Sequence, residues 1–212
     1  MTITEPATLI TDYLLAVFTL ALAWRLFAAA RSSHSMSQWW WAIAFLATAV
    51  AGIAGGTVHG FRLVLPERVT AALWILALEA LVVAAFAVVR GTLAGSQLTG
   101  AATRGASWIA AVLYTAYGLW VATSPRFVFA IAAYGVALVM LVAFKLIAWR
   151  TDRHAPRWMI AGVAVSALAA AVQQSGWSLH EYFNHNDLYH VIQAAGVWLL
   201  YRGARDQRPT SA

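Results

Sequence analysis

The sequence predicts an all-α, polytopic membrane protein with seven transmembrane helices. Hydrophobic residues make up 62% of the 212 residues and charged residues only 10%, so the chain has too few charges to cover a soluble globule. The mean hydropathy is +0.70. The apolar residues form continuous runs without alternating polarity, which favours helices over a β-barrel. We therefore expect a single transmembrane domain over residues 1–212, as an integral multi-pass protein of the cell membrane.

Seven apolar stretches are long enough, or nearly long enough, to cross a bilayer as helices. They cover about residues 9–30, 38–61, 69–89, 106–123, 127–148, 158–176 and 187–202. The last stretch is the shortest and could begin a few residues earlier. The amino-terminal run contains Glu5 and no basic residue, which is the wrong flank for a cleaved signal peptide. The first stretch is therefore expected to remain as a helix.

The distribution of basic residues predicts the direction of the chain. With the amino terminus outside, eleven of the 14 Lys and Arg residues fall inside, and the outer side keeps only Arg62, Arg68 and Arg126. This bias follows the positive-inside rule. The basic residues are scattered over loops and form no continuous patch, so the formal charge of +6 indicates membrane topology and no nucleic-acid partner.

The chain has no cysteine. This excludes disulfides, thiolate metal sites, iron–sulfur clusters and a cysteine nucleophile. Any metal site must therefore use histidine, carboxylate, amide or water ligands.

Four of the six histidines lie at the ends of apolar stretches that share the predicted outer side, namely His59, His180, His185 and His190. Imidazoles brought together at the edge of a helix bundle can hold a metal. A single histidine at a membrane interface is more often a hydrogen-bonded amphipathic residue. His190 is the stronger candidate because it lies inside a span beside Gln193, where polar groups are costly unless they serve a purpose.

Helical spacing places part of the last stretch on one face, which carries Asn186, Asp187, His190 and Gln193. His185 precedes His190 by five residues and would point away from it in a regular helix, unless the first turn frays. Asn184 is a candidate N-cap with Asp187 at the third helical position, which offers that carboxylate a purely structural role.

Three charged residues inside the apolar stretches need separate interpretations. Glu79 lies near the middle of the third stretch, where a carboxylate costs roughly 2 to 3 kcal/mol or more and should be protonated, paired or facing a polar cavity. Asp12 and Arg25 lie toward the two ends of the first stretch. We expect them to mark the membrane interfaces.

A Gly-rich second helix that ends in His59, and an Asn186-x-x-x-His190 run that opens the last helix, resemble the CREST superfamily of seven-span membrane hydrolases. That family includes the alkaline ceramidases and the adiponectin and progestin receptors, and three histidines hold its zinc ion. The resemblance implies that His59 and His190 are zinc ligands and that the second and seventh helices converge. The chain departs from the family pattern because Gly55 replaces the Ser, Thr70 the Asp and Asn186 the first His of the final pair.

The resemblance implies a zinc-dependent hydrolase that cleaves a lipid amide or ester at the outer-leaflet interface. The third zinc ligand would be His185 or Asp187, followed by His180. Zinc lowers the pKa of its bound water toward 7, so that the water can attack a carbonyl carbon. The general base would be Glu79, Glu181 or Asp187.

Two other classes of function fit the same residues. His59 and His190 on neighbouring helices could be the axial ligands of a haem in an electron-transfer protein. The outward polar groups could instead form the pocket of a non-catalytic receptor, sensor or small transporter. Loss of the family Ser and Asp favours this last class, in which membrane lipids are the surrounding partners.

Overall fold

The computed structural model describes residues 3–150 and 154–207, and its regular elements in these ranges are α-helices apart from one isolated bridge between His180 and Phe183. The prediction of an all-α fold is confirmed. In chain order the helices are α1 (Pro6–Ser33), α2 (Met36–Phe61), α3 (Glu67–Ala94), α4 (Gly100–Thr123), α5 (Phe127–Ala148), α6 (His154–Ser175) and α7 (His185–Arg205).

Six of the helices in the described ranges, α1 to α6, are long and apolar enough to cross a membrane. The molecule therefore has the helical character of a membrane protein. The helix α7 does not belong to this set by composition. Its first three turns contain Asn186, Asp187, His190 and Gln193, and these polar residues lower its mean hydropathy.

Most of the helices extend beyond the apolar stretches that predicted them. The helix α1 begins with Pro6 at its first position, where the missing N–H costs nothing. The Ser35 side chain caps α2 by accepting a hydrogen bond from the Gln38 backbone N–H, and Thr99 caps α4 in the same way. Hydropathy identifies only the part of each helix that is apolar enough for the hydrocarbon core of a membrane. The residue at which the helix begins depends on its capping side chain.

The helices α1, α2 and α3 pack side by side, and α6 and α7 form a close pair. The helix α1 packs against both α2 and α7, and these two also contact each other directly. Several of the largest fully buried side chains lie toward the end of the bundle where α1, α3 and α5 finish: Leu26, Trp41, Val88, Leu141 and Met159.

Hydrogen bonds close this same end of the bundle. The buried Ser37 hydroxyl of α2 donates to the Gly91 carbonyl of α3, at 2.7 Å, and also contacts the Gln207 side chain. The Gln38 amide donates to the Arg205 carbonyl of α7, at 2.9 Å. The start of α2, the end of α3 and the end of α7 are therefore joined.

Glycines allow α6 and α7 to approach closely. A Cβ atom on Gly162 would lie 2.9 Å from the Leu200 backbone nitrogen and 3.0 Å from the Gly196 carbonyl oxygen. Gly196 packs in return against Ser166. Small residues at helix contacts let backbones pack in membranes, where burial of apolar surface gives little driving force.

We predict that Gly162→Ala destabilises the protein by about 1–3 kcal/mol, because the new methyl group meets backbone atoms that cannot rotate away. Gly135→Ala is the matched control, since a Cβ on this α5 glycine meets no atom within 4 Å. Thermal unfolding of the detergent-purified protein measures both variants. An unchanged unfolding temperature for Gly162→Ala contradicts the close approach of α6 and α7.

Candidate functional site: a cavity at one end of the bundle

A cavity of about 280 Å³ lies toward the end of the bundle where α1, α3, α5 and α7 begin. Its apolar wall comes mainly from α1, α2, α3 and α5 and includes Leu15, Ala51, Trp74, Leu78, Leu81 and Phe127. Its polar lining consists of Asp12, Thr48, His59, Gln173, His185, Asn186, Tyr189 and His190. The lining therefore combines apolar surface with hydrogen-bonding groups, and α7 supplies half of the polar residues.

The three histidines predicted as metal ligands, His59, His185 and His190, all line this one cavity. His185 lies in the first turn of α7 and borders the same space as His190, although regular helical spacing would turn the two apart. Within residues 3–150 and 154–207, however, no three His, Asp or Glu side chains lie close enough to hold a metal ion together.

His190 is bound through both ring nitrogens to α1. Its Nε2 atom lies 3.1 Å from Oδ1 of Asp12, and its Nδ1 atom lies 3.0 Å from the Thr11 hydroxyl oxygen. His190 is 8% exposed and Asp12 is 6% exposed. Because a carboxylate only accepts hydrogen bonds, Nε2 donates to Asp12. The contact is a buried link between α1 and α7.

The expectation that Asp12 marks a membrane interface stays a prediction, and the structure adds a contact with His190 inside the bundle. Asp12 lies almost two turns inside α1 and is buried. The signal for such a contact was available, because an acidic residue within an apolar helix usually has a partner inside the bundle. The identity of that partner depends on which helices are neighbours.

His59 joins the amino-terminal segment to the end of α2. Its Nδ1 atom lies 3.1 Å from Oε2 of Glu5, and Arg62 approaches the other oxygen of Glu5 at 3.5 Å. The Thr4 backbone N–H donates to the Gly60 carbonyl at 2.9 Å. Three contacts therefore hold the amino-terminal segment against the end of α2, next to the cavity-lining residue His59.

The predicted N-cap of the last helix is confirmed. The Asn184 side chain accepts hydrogen bonds from the backbone N–H groups of Asn186, at 2.8 Å, and Asp187, at 3.4 Å. Asp187 in turn accepts from the Asn184 backbone N–H at 2.7 Å, which completes a capping box. Asp187 is fully buried and does not line the cavity, so its observed role is structural.

His185 has an unsatisfied nitrogen beside the cavity. Its Nδ1 atom is buried and has no hydrogen-bond partner in the part of the chain that the structure describes. The neighbouring Asn186 accepts a hydrogen bond from Gln173 of α6, at 3.4 Å. Buried polar atoms in folded proteins nearly always have a partner, so His185 is a cavity-lining residue with an unsatisfied ring nitrogen.

Two of the predicted catalytic carboxylates lie away from the cavity lining. Glu79 faces α4, since its Oε2 atom would lie 2.8 Å from a Cβ on Gly118. Its Oε1 atom is buried and has no partner among the described residues. Glu181 is exposed in the connection before α7. His180 lies in that connection too, where its Nδ1 atom accepts from the Tyr182 backbone N–H at 3.2 Å.

The model of a protein family described as a family of unknown function, DUF6962, matches residues 7–209. The chain belongs to DUF6962. No curated protein and no solved structure matches the chain. The DUF6962 match includes every residue that lines the cavity.

We predict that Asp12 and His190 are energetically coupled. Asp12→Ala and His190→Ala should each destabilise the protein, because each leaves a buried polar group without its partner. The double variant should lose less free energy of unfolding than the sum of the two single losses, by more than about 1 kcal/mol. Unfolding of the four proteins in denaturant measures this coupling, and additive losses contradict the buried contact.

Proposed function

We propose that this protein is a seven-span membrane receptor or sensor whose cavity binds a small amphipathic ligand. The observation that carries the proposal is His185, which lines the cavity and whose buried Nδ1 atom has no hydrogen-bond partner among the residues that the structure describes. A ligand that hydrogen-bonds to this nitrogen removes the cost of leaving it unsatisfied. Asn186 and Tyr189 also line the cavity.

The lining supports a ligand with one polar group and a short apolar part. Leu15, Leu78 and Leu81 offer apolar surface, and the polar residues of the lining carry imidazole, amide and hydroxyl groups. The volume of about 280 Å³ lies just below the range of roughly 300–1,000 Å³ for small-molecule pockets, which favours a small ligand. A short-chain lipid or a fragment the size of a lipid headgroup fits these limits.

The closed opposite end of the bundle favours a receptor or sensor over a transporter. Trp41 is 1% exposed, and Ser37 bonds to the end of α3 and to Gln207. A transport path would have to pass through this packed region. A pocket that is accessible from one end needs no such path.

The membrane arrangement belongs to the same proposal. The helix α7 forms the seventh span despite its polar start, because Asp187 caps the helix and His190 bonds to α1, which removes both groups from lipid. The amino terminus lies outside, as the positive-inside rule requires for eleven internal and three external basic residues. The cavity then faces the outer leaflet of the cell membrane.

A zinc-dependent lipid hydrolase is the second candidate, because the three predicted histidine ligands line one cavity. In their observed positions these residues do not fit zinc. His190 uses both ring nitrogens for protein partners, and His59 bonds to Glu5. The CREST resemblance and the haem hypothesis remain predictions, and each of them also requires a free nitrogen on His190.

We predict that Gly55→Leu abolishes ligand binding. Gly55 is a buried glycine that lines the cavity, and a Cβ there meets no atom within 4 Å, so a leucine side chain can occupy the ligand's space. The probes are a short-chain ceramide and medium-chain fatty amides, amines, alcohols and carboxylates. A probe at about a hundred times its Kd should stabilise the unaltered protein by about 2.7 kcal/mol.

Gly135→Leu is the control, because this α5 glycine is exposed and a Cβ there also meets no atom within 4 Å. We expect it to retain the probe-induced rise in unfolding temperature that Gly55→Leu loses. Equal stabilisation of both variants, or no stabilisation of the unaltered protein by any probe, rules out the proposed pocket.

Elemental analysis distinguishes the two candidate functions. We predict less than stoichiometric zinc in protein purified without a histidine tag or added metal, because the candidate ligands already bond to protein groups. About one zinc ion per chain, lost in His190→Ala while the protein stays folded, would support the hydrolase and contradict the metal-free receptor.

A further inference from the structure

Two arginines share one tryptophan at the end of the bundle opposite the cavity. The guanidinium carbon of Arg202, near the end of α7, lies 4.7 Å from the centroid of the Trp158 ring. That of Arg157, near the start of α6, lies 5.0 Å from the same ring. Two positively charged groups therefore lie against one indole ring.

The charge of this pair has no counterpart in the described protein. Within residues 3–150 and 154–207, no carboxylate forms an ion pair with Arg157 or Arg202. Arg205, which lies one turn beyond Arg202 on the helix, differs because it bonds to Asp206 at 3.3 Å. Like charges in proximity cost free energy unless an anion compensates them.

Unsatisfied hydrogen-bond donors lie at the same place. The Nε atom of Arg202 and the Nε1 atom of Trp158 are both buried, and neither has an acceptor among residues 3–150 and 154–207. Each of these nitrogens can only donate. The site therefore lacks acceptor oxygens as well as negative charge.

We propose that Arg157, Trp158 and Arg202 bind the phosphate group of an anionic lipid. Phosphate supplies several acceptor oxygens and the missing charge, and the planar guanidinium group matches its geometry with paired hydrogen bonds. A lipid is the source that the location favours. The site lies at the ends of two helices in a membrane bundle, at the level where a tryptophan marks the interface, and the apolar Trp198 is exposed one turn before Arg202.

Native mass spectrometry of the full chain in detergent tests this site. The probes are short-chain phosphatidylglycerol, phosphatidylcholine of the same chain length and inorganic phosphate. We expect phosphatidylglycerol to bind the unaltered protein more tightly than either of the others. Arg202→Gln should weaken its binding by about tenfold, the effect of one charged hydrogen-bonding group. Arg202→Lys should recover part of the loss, because lysine keeps the charge but not the fork of donors.

Arg104→Gln is the matched control, since Arg104 is an exposed arginine near the same end of the bundle and this variant removes the same charge. Arg157→Gln, at an exposed position, tests the site independently if Arg202→Gln does not fold. Equal weakening by Arg104→Gln and Arg157→Gln would show a diffuse charge effect and overturn the site. Equal binding of phosphatidylglycerol and phosphatidylcholine would also overturn the site. Tighter binding of inorganic phosphate than of phosphatidylglycerol would refute the assignment of a lipid as the ligand.

Discussion

The buried contact between Asp12 and His190 is the constraint on which the cavity depends. It joins α1 to α7 at 3.1 Å in a region that solvent hardly reaches. Removing either partner leaves a polar group in an apolar environment, so the two helices cannot separate at this level without a large cost. The cavity borders both residues. Its shape is therefore linked to an interaction that a bound polar ligand could strengthen or replace.

Some polar residues at the start of α7 are bonded to other protein groups, and others are not. Asp187 and Asn184 satisfy each other's backbone N–H groups in the capping box, and His190 is committed to α1. Among the described residues, His185 Nδ1 and Asp187 Oδ1 are both buried without a partner, but only His185 lines the cavity. The polar residues that lower the hydropathy of α7 relative to the other helices thus also cap the helix and line the cavity.

Local sequence patterns predicted the helices and the cap, but they did not predict the side-chain partners. The apolar stretches located all seven helices, and the spacing of Asn184 and Asp187 predicted the N-cap. The partners of His190 and His59 are Asp12 and Glu5, and these contacts depend on which helices are neighbours. Hydropathy carries no such information. For Glu79, likewise, the sequence indicated its depth in the membrane but not that it faces α4 instead of the cavity.

The reactivity of a single thiol tests the central claim, that a cavity accessible from the amino-terminal side of the membrane surrounds Gly55. The chain has no cysteine, so Gly55→Cys introduces the only thiol, and Gly135→Cys places one on an exposed face of α5. In intact cells, a small water-soluble methanethiosulfonate reagent added outside should modify Gly55→Cys and leave Gly135→Cys unmodified, since thiols in lipid stay protonated and unreactive. Equal, slow modification of the two variants would contradict the account.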